Sequence, residues 1–429
     1  MWSAVIEFIT FREPNIRFVV LGSIFMGISA ALVGSFAYLR KQALVGDTVS
    51  HSVLPGICIA FLCIGTKNTP ILLLGAFIAG WLSLLAVDWL IHQTKIKPDS
   101  ANAVALSTFF GLGVFLLTII QHTGNAAQTG LDKFIFGNAA ALLKNDVWLF
   151  LGLALCTIVL VSIFFKHFAL LSFDRQFAVS IGYPVKALEV LLTSLTVIAI
   201  VCGIQAMGVV LVASLLIAPA VAARFWCYNL KKMLVVACSI GALGGYVGAF
   251  ISYLAPAMPS GPWIVVALFF IALASFIGAP QKGIWARFRL GQNNKRRVQE
   301  ENILKYIYSA QEDGLIKEYT ITPQCLAELR NNKTLEAIEP YKRLCRKNLA
   351  IQKGSAYQLT SKGIEYAKRM VKVHRLWELY LAHYLHLPPD HVHEDAESIE
   401  HIITPEIEKQ LIQLLDNPST DPHGKDIPY

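Results

Sequence analysis

Charge is scarce in this chain. Only 15% of its 429 residues are Asp, Glu, Lys or Arg, while 55% are hydrophobic, which excludes an ordinary water-soluble protein. CxxC pairs are missing among the eight cysteines. Six of these (Cys58, Cys63, Cys156, Cys202, Cys227 and Cys238) fall in or beside apolar runs, and only Cys325 and Cys345 lie elsewhere. No disulfide framework is expected; reduced thiols in a cytoplasmic setting fit better. The N-terminus lacks a basic stretch followed by a cleavage site, so no removable signal peptide is expected. A GxxxxGK[ST] phosphate loop is absent as well.

What is present is unevenly spread. Residues 1–297 carry 21 Lys and Arg against 9 Asp and Glu, a net of +12, and residues 298–429 carry 16 against 20, a net of −4. The basicity thus belongs to loops between apolar runs and does not by itself indicate nucleic acid. A spanning helix needs about 20 apolar residues. Candidates lie near 18–39, 43–65, 70–92, 102–121, 147–165, 187–204, 206–223, 233–254 and 262–279, with Cys202-Gly203 and Gly208 loosening the junction between the sixth and seventh. The stretch 130–143 is too short and polar to span, and reads as re-entrant or surface-bound. Basic residues in alternate loops, and the Arg- and Lys-rich exit at 281–302, put everything after the last span in the cytoplasm.

The soluble part predicts helices over 298–311, 321–331 and 333–347, then two β-like runs around Lys353-Gly354 and a long helix over 364–386. Helix, helix and hairpin in that order predict a winged helix. The tail, 388–429, is acidic and rich in His.

Two clusters carry chemistry. In "VGDTVSHSVLPG" (45–56), Asp47 and His51 share a helical face where a span begins. They read either as an interfacial capping acid with a loop His, or as a metal pathway, which a carboxylate and an imidazole suit. Pro55-Gly56 is expected to break the helix just beyond. In the soluble part, His374 and Glu378 are one turn apart, and His393, Glu397, Glu400 and His401 fall on one helical face. Together they offer six N and O donors for a first-row divalent ion; the alternative is a solvated acidic helix with scattered His. His383 and His386 read as core or dimer-interface residues.

"GDTVSHSVLPGI" (46–57), the 177–224 segment and "PSGPWIVV" (259–266) resemble, in the expected order, the ABC-3 family of bacterial permeases that import zinc, manganese and iron. The resemblance implies that Asp47 and His51 line the metal route. It also implies a dimeric core, formed with a second permease copy or a homologue and set in inner-membrane lipid. A separate cytoplasmic ATPase would supply the energy, and an extracytoplasmic metal-binding lipoprotein would deliver the metal. "DRQFAVSIG" (174–182) resembles a coupling helix, with Phe177, Ala178 and Gly182 docking on the ATPase; on residue types alone it is an amphipathic loop helix.

"HRLWELYLAHYLHLPPDHVHEDAESIEHIITPEIEKQL" (374–411) and "LTSKG" (359–363) resemble metal-dependent repressors of the diphtheria-toxin-repressor type. That resemblance implies that His374, Glu378, His393, Glu397, Glu400 and His401 are the sensor ligands. Glu397 stands where iron-type relatives often have Cys, which leans toward oxygen ligation and manganese; Fe(II) or Mn(II) is favoured, with Zn(II) compatible. Departures stand beside it. The first helix offers Asn302 and Lys305 where relatives place ligands. The presumptive reading helix carries Glu336 and Glu339, which repel phosphate, and a mid-helix Pro340 costing about 3 kcal/mol. Residues 300–375 nevertheless hold 14 basic against 9 acidic side chains, and 376–429 hold 2 against 11. Lys333, Lys342, Arg343, Arg346 and Lys353 are the candidates for operator DNA.

Permease and repressor joined in this order resemble Ytg-type permease–repressor fusions. The expected architecture is an all-α polytopic membrane domain (1–280) of about 8–9 spans and a basic linker (281–299). A cytoplasmic α+β winged-helix domain (300–372) and a helical metal-binding and dimerisation domain (373–429) follow, with no third domain. Two roles stand open for the soluble part. It represses an operon, after release by cleavage of the linker, or it stays attached and closes the transporter without binding DNA.

Overall fold

The structure is a computed structural model and describes residues 2–11, 13–66, 68–122, 142–254, 260–386, 397 and 399–429. The stretch 130–141 of the expected re-entrant segment, and His393, lie outside them. The chain divides into two units, Met1–Arg287 and Phe288–Tyr429.

The first unit is helical. Short α1 (Trp2–Ile9) precedes α2 (Pro14–Leu39), whose proline at the start has the fixed φ that suits a first turn. Then come α3 (Val45–Ser52), α4 (Leu54–Ile64), α5 (Thr69–Gln93), α6 (Pro98–His122) and α7 (Lys144–Ile163). Two short helices, α8 (Phe165–Phe173) and α9 (Arg175–Ser180), lead to α10 (Val185–Met207), α11 (Val209–Trp226), α12 (Leu230–Leu254) and α13 (Ser260–Gly278). Among the described residues eight stretches are long and apolar enough to cross a bilayer, with α3 and α4 counted as one. The expected seventh span, α11, is the short member, apolar from Leu211 to Trp226. Gly208 separates it from α10 with φ 84° and ψ 165°, a conformation that only glycine takes readily.

Helix α2 lies against α7, α11 and α12, and buries Met26, Ala30, Val33 and Phe36 almost completely. Lipid offers no hydrophobic drive between helices, so close packing must hold them together. Gly56 of α4 and Gly75 of α5 meet this need: a Cβ on either would strike the other's carbonyl.

The second span is interrupted for one residue, at Val53, two residues before the expected Pro55-Gly56; Val53 keeps helical angles, φ −74° and ψ −20°, so the two pieces still make one 20-residue span. The cause of the interruption is Pro55, which has no N–H for the carbonyl of His51 and whose ring crowds that carbonyl. Half-helix α3, with Asp47 in its first turn and His51 in its last, is thereby separated from α4.

The second unit opens within α14 (Ile284–Glu312), so the expected linker is helical from Ile284 onward. After β1 (Thr320–Ile321) come α15 (Pro323–Leu329), a 3₁₀ turn (Lys333–Glu336) and α16 (Ile338–Arg346). Strands β2 (Ala350–Lys353) and β3 (Ala356–Leu359) turn at Gly354, and β3 is central in an antiparallel order β1-β3-β2. Registers Ile321↔Tyr357 and Ala350↔Leu359 set the wing. Helices α17 (Ser361–Tyr384), capped by the Thr360 hydroxyl, and α18 (Pro405–Leu414), capped by Thr404, complete the unit. Its core centres on Ile307, Leu326, Tyr341, Leu344 and Tyr357.

One expectation is corrected here. Pro340 is not mid-helix, because the expected 333–347 helix is a 3₁₀ turn followed by α16. Pro340 sits in the first turn of α16, where an N–H would have no partner within the helix, so it costs little. Glu339 lies in the same turn, where the helix dipole favours an acid.

Candidate metal sites

On α3, Asp47 is exposed and His51 half-buried, while the neighbours Thr48, Val49, Ser50 and Ser52 are buried. Thr48 Oγ1 donates to Asn102 Oδ1 at 2.9 Å, and Asn102 Nδ2 donates to the Pro98 carbonyl at 2.9 Å, which fixes α3 against α6. The His51 ring meets Phe110 edge-on, with centroids 5.3 Å apart. A small cavity beside it is lined by Ser50, His51, Leu54, Phe110 and Val209. The Ser50 and Ser52 hydroxyls are buried without a hydrogen-bond partner.

Helix α9 starts at Asp174, whose carboxylate accepts from the Phe177 N–H at 2.9 Å. Just past its end at Ser180 the chain turns at Gly182, with φ 87°. Ala178 is buried, whereas Phe177 is 52% exposed and Val179 55%, an apolar surface beyond what solvation favours. Glu189 of α10 holds Arg175 at 2.8 Å and Arg40, at the end of α2, at 3.7 Å.

The second cluster joins α14, α17 and the segment before α18. His374 faces two carboxylates, with Nδ1 2.5 Å from Glu400 Oε2 and Nε2 3.2 Å from Glu378 Oε1. Burial would lower its pKa, but the hydrogen bonds to Glu378 and Glu400 raise it. Glu400 turns its other oxygen, Oε1, to Lys305 Nζ at 2.8 Å, and Glu397 Oε1 is 3.4 Å from the same nitrogen. The Tyr306 hydroxyl donates to Glu397 at 3.2 Å; burial, then that carboxylate, pushes the phenol up to about 12. His401 Nδ1 pairs with Glu301 Oε2 at 2.7 Å. Burial would raise the Glu301 carboxyl, yet hydrogen bonds from His401, Arg297 and Tyr366 hold it at about 2.

Nitrogen with carboxylate oxygen suits a first-row divalent ion. His401 also fits a ligand's habit, with Nδ1 oriented by a carboxylate and Nε2 buried without a hydrogen-bond partner. Among the described residues, however, no three His, Cys, Asp or Glu side chains gather round one point. His374 is engaged by Glu378 and Glu400, and the Glu400 oxygen nearest His401 Nε2, at 3.6 Å, is held by Lys305.

Of the residues expected on DNA, Lys333, Lys342, Arg346 and Lys353 are exposed. Arg343 instead turns inward to Glu300 at 2.7 Å, and Arg346 pairs with Glu339 at 3.5 Å. His383 and His386 are exposed, which removes the core alternative for them and leaves the dimer-interface one. Sequence reasoning missed Glu301, although its i, i+4 spacing from Arg297, with which it pairs at 2.8 Å, was a usable signal.

A unit of long apolar helices joined to a second unit with buried carboxylates and imidazoles has the layout of a membrane permease carrying a metal-responsive module. Residues 13–279 match the ABC 3 transport family, and the chain belongs to it; it is a multi-pass membrane permease subunit and not an enzyme. Residues 360–429 match the iron dependent repressor, metal binding and dimerisation domain. The manganese transport system membrane protein MntC of Bacillus subtilis is 37% identical over 388 residues, 88% of this chain and 86% of that protein. The zinc transport system membrane protein TroC of Treponema pallidum is 43% identical over 284 residues, 65% of this chain and 95% of that protein. Among solved structures, PsaBC from Streptococcus pneumoniae in complex with Fab is similar with a TM-score of 0.58 and 30% identity, over 65% of this chain and 97% of that one.

Proposed function

We propose that residues 1–280 form the membrane path of an ABC importer for a divalent metal, with Mn(II) as the leading cargo and Fe(II) and Zn(II) as alternatives. Asp47 and His51 are its route residues. The observation that carries this reading is half-helix α3, which bears Asp47 in its first turn and His51 in its last, where His51 lines a small cavity together with Ser50, whose buried hydroxyl is unsatisfied. Similarity to permeases named for manganese and zinc supports the cargo class. A cytoplasmic ATPase docks on Phe177, with Ala178 anchoring α9 from within and Gly182 turning the chain out of it. A metal-binding lipoprotein delivers the ion from outside, and a second permease copy or homologue completes the core. The test is uptake of labelled Mn(II) by vesicles holding the chain with its ATPase and lipoprotein. Asp47→Ala and His51→Ala each lower uptake more than tenfold, by analogy with lost metal ligands; full uptake by the double variant sinks the reading.

Residues 300–429 sense cytoplasmic metal with ligands drawn from His374, Glu378, His393, Glu397, Glu400 and His401, with 300–372 as a winged helix and 373–429 as the metal-binding and dimerisation part. In this reading Lys333, Lys342, Arg346 and Lys353 meet operator DNA, and the module is released by a cut within 281–299. The second role, an attached regulator that closes the permease, has its own support: Arg343 is turned onto Glu300, and Glu339 stands beside Arg346. Gel shifts of the chain on the DNA upstream of its own gene separate the two. Metal-dependent retardation that weakens by about one unit of salt slope per Lys removed supports the repressor; no retardation at any metal concentration leaves the attached regulator.

A further inference from the structure

Lys305 is a cation built into a place where a divalent ion would otherwise sit. Its side chain is only 5% exposed. A buried ammonium is costly unless carboxylates surround it. Two do: Glu400 Oε1 at 2.8 Å and Glu397 Oε1 at 3.4 Å. Both come from the 397–400 segment, whereas Lys305 comes from α14, so the pair ties two distant parts of the unit together.

On the far side of Glu400 Oε1, at 3.6 Å, lies Nε2 of His401, buried without a hydrogen-bond partner. Its other ring nitrogen is fixed by Glu301 at 2.7 Å. A carboxylate-oriented imidazole with a bare inner nitrogen, 3.6 Å from Glu400 Oε1, offers donors of the kind a divalent metal takes. A divalent ion there would need the oxygens that Lys305 holds, at about 2.0–2.2 Å, and would stand against a like charge.

We infer that the Lys305 ammonium is the resident cation of the half-site formed by Glu397, Glu400 and His401. That half is closed to divalent metal and holds α14 to the 397–401 segment whether metal is present or not. Any metal that acts on this unit then does so outside that half; this last clause rests on the metal-sensing role proposed above, and the first does not.

The test counts Mn(II) bound per chain by the detergent-solubilised full-length protein, with Asp47→Ala as a common background to silence the transport route. Lys305→Gln should bind a further Mn(II) equivalent, and Lys305→Arg, which keeps the cation, should not. Adding His401→Ala to Lys305→Gln should abolish the gain, while His401→Ala alone should lose nothing. A Mn(II) equivalent lost in His401→Ala alone overturns the inference, as does a folded Lys305→Gln chain without gain. Should Lys305→Gln aggregate, the His401→Ala count decides by itself. Failure of the sensor role reads differently: His374→Ala would leave Mn(II) binding unchanged while the Lys305→Gln gain persists.

Discussion

Glu189 holds Arg175 by Nε at 2.8 Å and stands 3.7 Å from Arg40, so one carboxylate on α10 joins the start of α9 to the end of α2. Arg40 is five residues before Val45, the first residue of the half-helix bearing Asp47 and His51. Glu189→Gln should therefore weaken coupling rather than folding. Metal-stimulated ATPase activity of the reconstituted complex should fall severalfold while the detergent-solubilised chain still elutes as a single species. Unchanged stimulation would count against any role for this carboxylate in coupling.

Phe177 gives a sharper contrast. It is half-exposed on α9 while Ala178 is buried beneath it. Phe177→Asp should abolish co-purification of the ATPase and leave the permease stable, because the ring is half in solvent. Ala178→Leu, by overpacking, should instead lower stability by about 1–3 kcal/mol. Thermal melts alongside pull-downs distinguish the two effects.

At Gly208 the backbone takes φ 84° between α10 and α11. Gly208→Ala forces a side chain into that region at a cost of about 1–3 kcal/mol. Reduced melting temperature of the solubilised protein is the readout, and an unaltered melt would mean that the two helices can join differently.

In the second unit, Arg375 is buried between Glu312 at 2.7 Å and Asp421 at 3.6 Å, and it donates to the Asp426 carbonyl at 2.5 Å. Removing one member of a buried pair leaves the others uncompensated, so Arg375→Met should cost about 3–5 kcal/mol. Hydrogen exchange should then speed up in α14 and in the 419–429 segment, with the first unit unaffected.

Glu408 supplies the pH dependence. Burial would raise its carboxyl, but Lys372 at 2.6 Å and Arg369 at 2.8 Å lower it below the ordinary 4.5. The folded unit thus keeps Glu408 ionised at a pH where the unfolded chain has protonated it. Its contribution is complete above about pH 4.5 and disappears as pH falls through the depressed value. Protection of α18 should decline over that acid window in the native chain and be flat in Glu408→Gln; a decline of equal size in both would assign the effect elsewhere.

The spans were legible because each is a run of apolar residues, eight of them long enough to cross, and their helices begin and end within a few residues of the expected bounds. The i, i+4 pairs Asp47–His51 and His374–Glu378 were legible for the same local reason. Contacts between distant segments were not. Nothing in the local pattern around His401 points to Glu301, a hundred residues earlier, or tells that Arg343 would turn to Glu300. The 281–299 stretch lacks apolar periodicity and so reads as a linker, although from Ile284 it is helical, with charged side chains exposed along it. The break at Val53 was misplaced by two residues because proline acts on the turn before it, not at its own position.

Helix α14 changes character along its length: residues 287–297 are exposed, while Glu300, Ile303, Leu304 and Ile307 are buried. A protease that released the second unit whole would be confined to the exposed part, roughly three turns, since any later cut would carry away the unit's own core. Such enzymes grip extended backbone, so those turns must first unwind. Gly291, Asn293 and Asn294, all weak helix formers, lie within them and set how readily that happens. Timing of release would then be a property of local helix fraying, adjustable by a single alanine at position 291 without touching either unit's chemistry.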